Sequence, residues 1–110
     1  MIRSFSGKHA FLSNLYKSKF TINGSEYNTV EHFYAASKAL NPIEHEIIRH
    51  AETPAEAKKL GRQLKNIRPD WDNARLDVMR VGLRAKFEQN PKLAKLLIDT
   101  GDLPLVEANL

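Results

Sequence analysis

Short apolar and polar runs alternate in the first third of the chain and predict β structure joined by turns. Residues 20–22 and 26–27 flank Asn23-Gly24. Asn-Gly between alternating runs favours a type I′ hairpin, because both turn positions need a positive φ. Residues 11–16 are apolar but are interrupted by two small polar residues, which indicates a loop or a short irregular strand.

Beyond the hairpin, apolar residues recur at helical spacing, and capping residues mark where the helices begin. Thr29 is the predicted N-cap of a helix over residues 30–40. Asn41-Pro42 starts a second, shorter helix, since proline is favoured at the first helical position. Three isoleucines of this helix are expected to face inward: Ile43, Ile47 and Ile48.

Capping signals also predict a third helix after Thr53. Pro54 stands at its first position, and Glu56 completes a capping box. We expect this helix to end near Gly61, because glycine adopts the left-handed conformation of a helix C-terminus with little strain.

The longest predicted helix covers residues 71–89, with Asp70 as its N-cap, and Asn90-Pro91 starts a last helix that Gly101 stops. Apolar residues of these two helices are expected to face the core: Val78, Val81, Leu83, Phe87, Leu93, Leu96 and Leu97. Residues 103–110 look extended. The predicted architecture is α+β, a predominantly helical single domain over residues 1–110 with a small antiparallel β element.

Composition limits the classes of protein to which the chain can belong. It has 110 residues, of which 42% are hydrophobic and 27% charged, as in a globular domain. The absence of cysteine excludes a disulfide framework and thiolate chemistry, and fits a reducing compartment. We expect no secretory signal and no membrane partner, because the apolar runs are far shorter than the ~20 residues of a membrane span. A cytoplasmic location is therefore expected.

The net charge of +4 comes largely from one basic stretch. Five cations occupy eleven residues that contain no acid: Lys58, Lys59, Arg62, Lys65 and Arg68. Such a patch attracts phosphate on a small ligand or on nucleic acid, but it is also typical of a solvated helix face. The four histidines are scattered, and the chain has no glycine-rich phosphate loop and no GxSxG motif. No metal or cofactor is expected.

Glu31 is the candidate for acid–base chemistry. It lies in the first turn of the predicted helix after Thr29, and Ala35 and Lys38 share its face at helical spacing. A carboxylate beside aromatic residues can act as a general acid or base, whereas a glutamate in a first turn can also simply complement the helix dipole. Trp71, the one tryptophan, could be a core anchor or a stacking surface for a base.

These segments resemble successive motifs of the NADAR (YbiA-like) N-glycosidase family, in its order and at about its spacing. The resemblance covers nearly the whole chain through residues 11–16, 29–38, 60–62, 68–71, 83–89 and 105–107. It implies an N-glycosidase acting on a small nucleotide-like substrate or on ADP-ribosylated nucleic acid. The substrates it implies are ADP-ribosylated guanine or phosphoribosyl pyrimidine intermediates of riboflavin synthesis.

The resemblance also implies roles for individual residues. Glu31 matches the catalytic glutamate. Four further residues match ligand-binding positions: Asn14, Lys38, Arg62 and Trp71. Ser37 stands where relatives often have glutamine, so the resemblance assigns no role to it.

Relatives continue past the position of Leu110 with an acidic Trp-Gly motif and a final helix, which contribute further active-site residues. The resemblance therefore implies that this chain lacks that motif and helix, and that the surface they would cover is open to self-association. Two alternatives follow. One is a catalytically impaired module that binds ADP-ribose, a nucleotide or a partner. The other is a small basic nucleic-acid-binding domain, although no zinc motif and no clear recognition helix support it.

Overall fold

A two-stranded hairpin and five helices make up the described part of the chain. The computed structural model describes residues 13–14 and 16–99. In chain order the elements are β1 (Phe20–Ile22), β2 (Ser25–Tyr27), α1 (Val30–Ser37), α2 (Pro42–Arg49), α3 (Pro54–Gln63), α4 (Trp71–Gln89) and α5 (Pro91–Asp99). This confirms the α+β class with dominant helices. The predicted extended segment 103–110 and most of segment 11–16 lie outside the described residues.

The hairpin forms as its turn residues predict. β1 and β2 are antiparallel, with Phe20 opposite Tyr27. Asn23 and Gly24 have φ angles of 52° and 82°, the two positive values that a type I′ turn requires. The side chain of Gln89, at the end of α4, extends the pairing, because it accepts from the Thr21 N–H at 2.7 Å and donates to the Thr21 carbonyl at 2.8 Å. The sheet is thereby anchored to the longest helix.

Three of the four predicted N-caps are confirmed by hydrogen bonds. The side-chain oxygens of Thr29, Asn41 and Thr53 accept from backbone N–H groups of α1, α2 and α3 at 3.1, 2.7 and 3.1 Å. The fourth prediction, that the Asp70 side chain caps α4 with a hydrogen bond, is wrong. Asp70 precedes α4, but its carboxylate makes no cap bond and instead accepts two bonds from Arg68, at 2.7 and 2.8 Å. The charged guanidinium is the stronger donor for that carboxylate.

Helix α1 lies at the centre of the fold and packs against α2, α3, α4 and β2. Six of its eight residues are buried. An aromatic cluster joins it to the hairpin: Phe33 lies edge-on to Tyr27 and to Phe20, with ring centroids 5.1 and 6.2 Å apart. Phe20 and Tyr27 stack on each other at 5.9 Å. The core therefore forms where the sheet packs on the buried side of α1.

The predicted inward faces of the outer helices are partly wrong. Ile48 of α2 is buried at 1% exposure, but Ile43 and Ile47 are 69% and 56% exposed. Val81 of α4 and Leu96 of α5 are also exposed, at 48% and 45%. Four further residues are half-buried rather than buried: Val78, Leu83, Phe87 and Leu93. The side chain of Leu97 lies outside the described part.

Small residues, rather than large apolar ones, face the centre because the helices approach closely there. Gly61 does not end α3 as predicted; the helix continues to Gln63, and the φ of Gly61 lies outside the left-handed region. A Cβ at Gly61 would lie 3.1 Å from Cβ of Ala35, and a Cβ at Gly82 would lie 2.9 Å from Phe33. Both glycines allow a neighbouring helix to contact α1 directly.

His32 connects α1 to the segment between α2 and α3. Its side chain is 1% exposed, and Nε2 donates to the Ala51 carbonyl at 2.9 Å. In the neutral ring Nδ1 is then the acceptor, and the Thr29 hydroxyl donates to it at 2.8 Å. Burial lowers the pKa of His32, while its bond to Ala51 and the charge of Glu56 oppose the shift. The ring is therefore held neutral inside the fold.

Replacing Gly82 with alanine is expected to lower the free energy of unfolding, because the new methyl group would lie 2.9 Å from Cδ2 of Phe33. Such overpacking costs about 1–3 kcal/mol, which exceeds the ~1 kcal/mol that alanine gains in a helix interior. Urea denaturation measures the difference. In the control Gly24→Ala, nothing lies within 4 Å of the new Cβ, so any loss of stability comes from the φ of 82°. Gly24→Asn should recover most of that stability, because asparagine tolerates a positive φ. A Gly82→Ala protein more stable than wild type would contradict the close packing.

Acidification is expected to destabilise the fold through His32. Its folded pKa lies below the ordinary value of 6.5, so the unfolded chain binds more protons below that pH. Stability from the neutral ring is present above about pH 6.5 and is lost as the pH falls towards the lower folded value. Between about pH 7 and pH 5, wild type should lose up to ~1.4 kcal/mol per pH unit more than His32→Gln in urea titrations. Equal slopes for the two proteins would refute this.

Candidate active site

A cleft of about 290 Å³ opens between α1 and α3 at the start of α4. The described residues that line it come from all three helices: Glu31, Tyr34, Ala35, Lys38, Lys58, Gly61, Arg62 and Trp71. The predicted common face of Glu31, Ala35 and Lys38 is confirmed as one wall of this α1–α3 cleft. Of the residues implied by the resemblance, four line it, and Asn14 is not among its described lining residues.

Glu31 lies in the first turn of α1 and is only 4% exposed. Its backbone N–H donates to the Asn14 carbonyl at 3.0 Å, so the segment before the hairpin closes the start of the helix. Thr29 and His32 bond each other on the buried side, while Glu31 lines the cleft. The first turn of α1 is therefore fixed on both sides, and the Glu31 carboxylate keeps a defined position.

Lys38 follows α1 directly and is held by a short strand-like contact. The Arg68 N–H donates to the Lys38 carbonyl at 3.1 Å, and Ala39 forms an isolated antiparallel bridge with Ile67. These bonds join the end of α1 to the segment between α3 and α4. The backbone of Lys38 is thereby fixed at the opposite end of the cleft wall from Glu31.

Helix α3 supplies the facing wall. Lys58, Gly61 and Arg62 are three and four residues apart and so share one face. Gly61 lies against Ala35, and the missing side chain brings the two cations close to α1. The basic stretch predicted from the sequence is thus divided: Lys59 and Lys65 are exposed outside the described lining of the cleft, and Arg68 pairs with Asp70 at 2.7 Å.

Tyr34 and Trp71 form an aromatic wall at the side of the cleft. Their ring centroids are 5.0 Å apart, with an angle of 59° between the ring planes. Trp71 is buried at 6% exposure and also lines the cleft, so its predicted role as a stacking surface stays a prediction. Burial raises the pKa of Tyr34, while the charge of Arg75 opposes the shift. The phenol is therefore neutral at physiological pH.

Asn14 is not among the described lining residues of the cleft. It is 1% exposed, and its Nδ2 has no hydrogen-bond partner among the described residues. Lys86 of α4 is fully buried and donates to the Ser13 carbonyl at 3.0 Å, which ties the Ser13-Asn14 turn to the fold. The contact made by Asn14 with the site is the bond from its carbonyl to the Glu31 N–H.

Sequence reasoning did not single out Tyr34, Lys58 or Gly61 as cleft residues. Tyr34 could have been found from its position three residues after Glu31, which places it on the same helix face. Lys58 and Gly61 share the face of Arg62 by the same rule, but only the packing of α3 on α1 shows which face that is. Among the described residues, no group of three or more histidine or acidic side chains could hold a metal ion.

The described lining of the cleft combines one carboxylate with three cations. Among the described lining residues Glu31 is the one acid, and the cations are Lys38, Lys58 and Arg62. Helix rise places Lys38 ~10 Å along α1 from Glu31. A ligand with an anionic group at one end and a centre of developing positive charge at the other would match this arrangement. No helix in the described part is both long and apolar enough to cross a bilayer.

Comparisons with known proteins agree with this architecture. The chain is 39% identical over 100 residues to a riboflavin biosynthesis protein of Vibrio vulnificus, covering 90% of this chain and 27% of that protein. It is 36% identical over 105 residues to the N-glycosidase YbiA of Escherichia coli, covering 94% of this chain and 66% of YbiA.

The fold is similar to the NMR structure of Escherichia coli YbiA. The TM-score is 0.86 at 36% sequence identity, and the match covers 96% of this chain and 64% of that one. The chain thus spans slightly less than two thirds of YbiA and about a quarter of the Vibrio protein. The family model of the NADAR domain matches residues 3–110, and the chain therefore belongs to the NADAR family.

Proposed function

We propose that this chain is an N-glycosidase that hydrolyses the bond between a base and a ribose phosphate. The observation that carries the proposal is the α1–α3 cleft, which a nearly buried glutamate and three cations line together. The names of its relatives, an N-glycosidase and a riboflavin biosynthesis protein, support the same class of reaction. The substrates that we propose are ADP-ribosylated guanine or phosphoribosyl pyrimidine intermediates, and we expect the reaction to occur in the cytoplasm.

Glu31 is the catalytic residue in this proposal. When the bond between the base nitrogen and C1 of the ribose breaks, its electron pair leaves with the base, and positive charge develops on the ribose. The Glu31 carboxylate stabilises that charge and accepts a proton from the attacking water. The water oxygen bonds to C1, and the departing nitrogen gains a proton, so the net reaction consumes one water and releases the base and the sugar phosphate.

The three cations in the described lining of the cleft hold the phosphate. Arg62 offers a planar, bidentate donor, while Lys38 and Lys58 add positive charge. Because Lys38 is fixed by the contact with Arg68 and Arg62 lies on α3, the phosphate would bridge the two helices. Its binding energy positions the glycosidic bond beside Glu31.

Trp71 and Asn14 are the remaining two residues to which we assign roles. Trp71 closes the cleft as part of the aromatic wall, where the base would lie. Asn14 supports Glu31 through its carbonyl, and its Nδ2 is a buried donor without a partner among the described residues. A ligand oxygen or a water near that atom would satisfy it, which is the ligand-binding role that we propose for Asn14.

Replacing Glu31 with glutamine is expected to lower kcat by about 10²–10⁴-fold, because the amide cannot accept a proton from water. The shape of the side chain is kept, so circular dichroism and thermal unfolding should show a folded protein. Release of free base from ADP-ribosylated guanosine and from phosphoribosyl pyrimidines, followed by mass spectrometry, measures the loss.

The matched control is Glu88→Gln, which removes the same charge from an exposed site on α4 whose nearest cation, Arg84, is 3.9 Å away. Its turnover should equal that of wild type. Unchanged turnover in Glu31→Gln would refute the catalytic role. A folded wild type that binds these substrates without releasing base would favour a binding module instead of an enzyme.

Replacing Arg62 with glutamine is expected to raise KM about tenfold and to leave kcat much less changed, because a charge-assisted bond to the phosphate is lost in both ground and transition states. Steady-state kinetics at low ionic strength measures the effect. Lys59→Gln removes one cation from the same helix, outside the described lining of the cleft, and should leave KM within about twofold. Equal changes in the two variants would show that only the overall charge of α3 matters.

A further inference from the structure

The two rings of the aromatic wall differ in how much of their surface a ligand can reach. Trp71 is 6% exposed, so most of its ring surface already contacts protein. Tyr34 is half-buried and lines the same cleft. A planar group entering the cleft therefore meets Tyr34 with more open surface than Trp71.

The Trp71 ring holds the Tyr34 ring in place. It packs against Tyr34 with centroids 5.0 Å apart and a tilt of 59°. Trp71 belongs to α4, whereas Tyr34 belongs to α1, so the ring is held between two helices and loses little freedom when a ligand binds.

We propose that Tyr34 is the side chain on which the base of the substrate stacks, and that Trp71 is a positioning residue behind it. This inference rests on the proposed function, since it concerns the base of the same nucleotide-like ligand. It changes the role expected for Trp71 from direct contact with the base to support of the ring that makes the contact.

The spacing along α1 fits this assignment. Tyr34 follows Glu31 by three residues, which places the two side chains on one face about 5–6 Å apart at Cβ. A base on Tyr34 would bring its bond to the ribose beside the Glu31 carboxylate. Lys38, one of the cations that line the cleft, follows Tyr34 by four residues. Helix α1 thus offers separate side chains for the base, for its bond to the ribose and for the phosphate.

The space for the ribose comes from two small residues. Ala35 lies between Glu31 and Lys38 on the same face, and Gly61 opposes it across the cleft. A Cβ at Gly61 would lie 3.1 Å from Cβ of Ala35, so the helices are already in contact at the floor. Larger side chains at either position would fill the volume between the aromatic wall and the cations.

Stacking on Tyr34 makes the cleft selective for ligands that carry a base, but not for one particular base. Every base offers a π-face, so an aromatic platform accepts purines and pyrimidines alike. The cleft should therefore bind GMP and CMP with similar affinity and ribose 5-phosphate more weakly. Specificity for one substrate would have to come from contacts outside the described lining residues.

The first test is isothermal titration calorimetry with GMP, CMP and ribose 5-phosphate. Tyr34→Leu should weaken binding of both nucleotides by about tenfold, the loss expected for one stacked base. It should change ribose 5-phosphate binding by less than about twofold. Tyr34→Phe keeps the ring and should retain most of the affinity that depends on the base. Urea denaturation of each variant verifies that it is folded.

A double-mutant cycle tests the positioning role of Trp71. Trp71→Leu should weaken nucleotide binding in wild type, but much less when Tyr34 is already leucine, because the ring that Trp71 holds is then gone. Equal losses in both backgrounds would overturn the positioning role. Ribose 5-phosphate again serves as the ligand without a base.

A measurement on wild type keeps the test decisive if Tyr34→Leu does not fold. Nuclear Overhauser effects between the Tyr34 ring protons and the protons of bound GMP are expected. Contacts from GMP to Trp71 alone would overturn the proposal, and so would equal weakening of GMP and ribose 5-phosphate in Tyr34→Leu. Absence of nucleotide binding would also overturn it, whereas the proposed hydrolysis is decided separately by the turnover of Glu31→Gln.

Discussion

Helix α1 is too short to be stable alone, and the fold and the site both depend on its burial. Isolated helices shorter than about 12–15 residues are marginal in water, so its eight residues need tertiary packing. Gly61 and Gly82 supply it by letting α3 and α4 contact the helix directly. The same contacts place Glu31, Tyr34 and Lys38 in the cleft. A change that separates these helices would therefore affect stability and the site together.

Features fixed by local chemistry could be predicted from the sequence. The hairpin turn at Asn23-Gly24 and the caps at Thr29, Asn41 and Thr53 depend on residues a few positions apart, and the structure has them as expected. The N-cap predicted at Asp70 is wrong, because the Asp70 carboxylate accepts a hydrogen bond from the Arg68 guanidinium instead. The starts of the helices in this chain thus follow mainly from short-range signals.

Inward faces were predicted less well, because burial depends on which elements pack together. The apolar pattern of α2 predicts burial equally for Ile43, Ile47 and Ile48, but of these three only Ile48 is buried. At the centre of the fold the helices approach each other so closely that only glycine and alanine fit, and a hydrophobic pattern does not show this. The helix end predicted at Gly61 is wrong for this reason. The site shows the same limit: the face carrying Glu31 and Lys38 was predicted, whereas the α3 side of the cleft required the packing.

The burial of Glu31 also bears on why this position carries a carboxylate. A glutamate that only complements the helix dipole does so at the surface, where the charge stays hydrated. Glu31 is 4% exposed, and removing a charge from water costs several kcal/mol before partners repay it. Fold stability alone would favour an apolar residue of similar size at such a site. Our proposal that Glu31 performs chemistry in the cleft, which Lys38, Lys58 and Arg62 also line, accounts for a carboxylate held there.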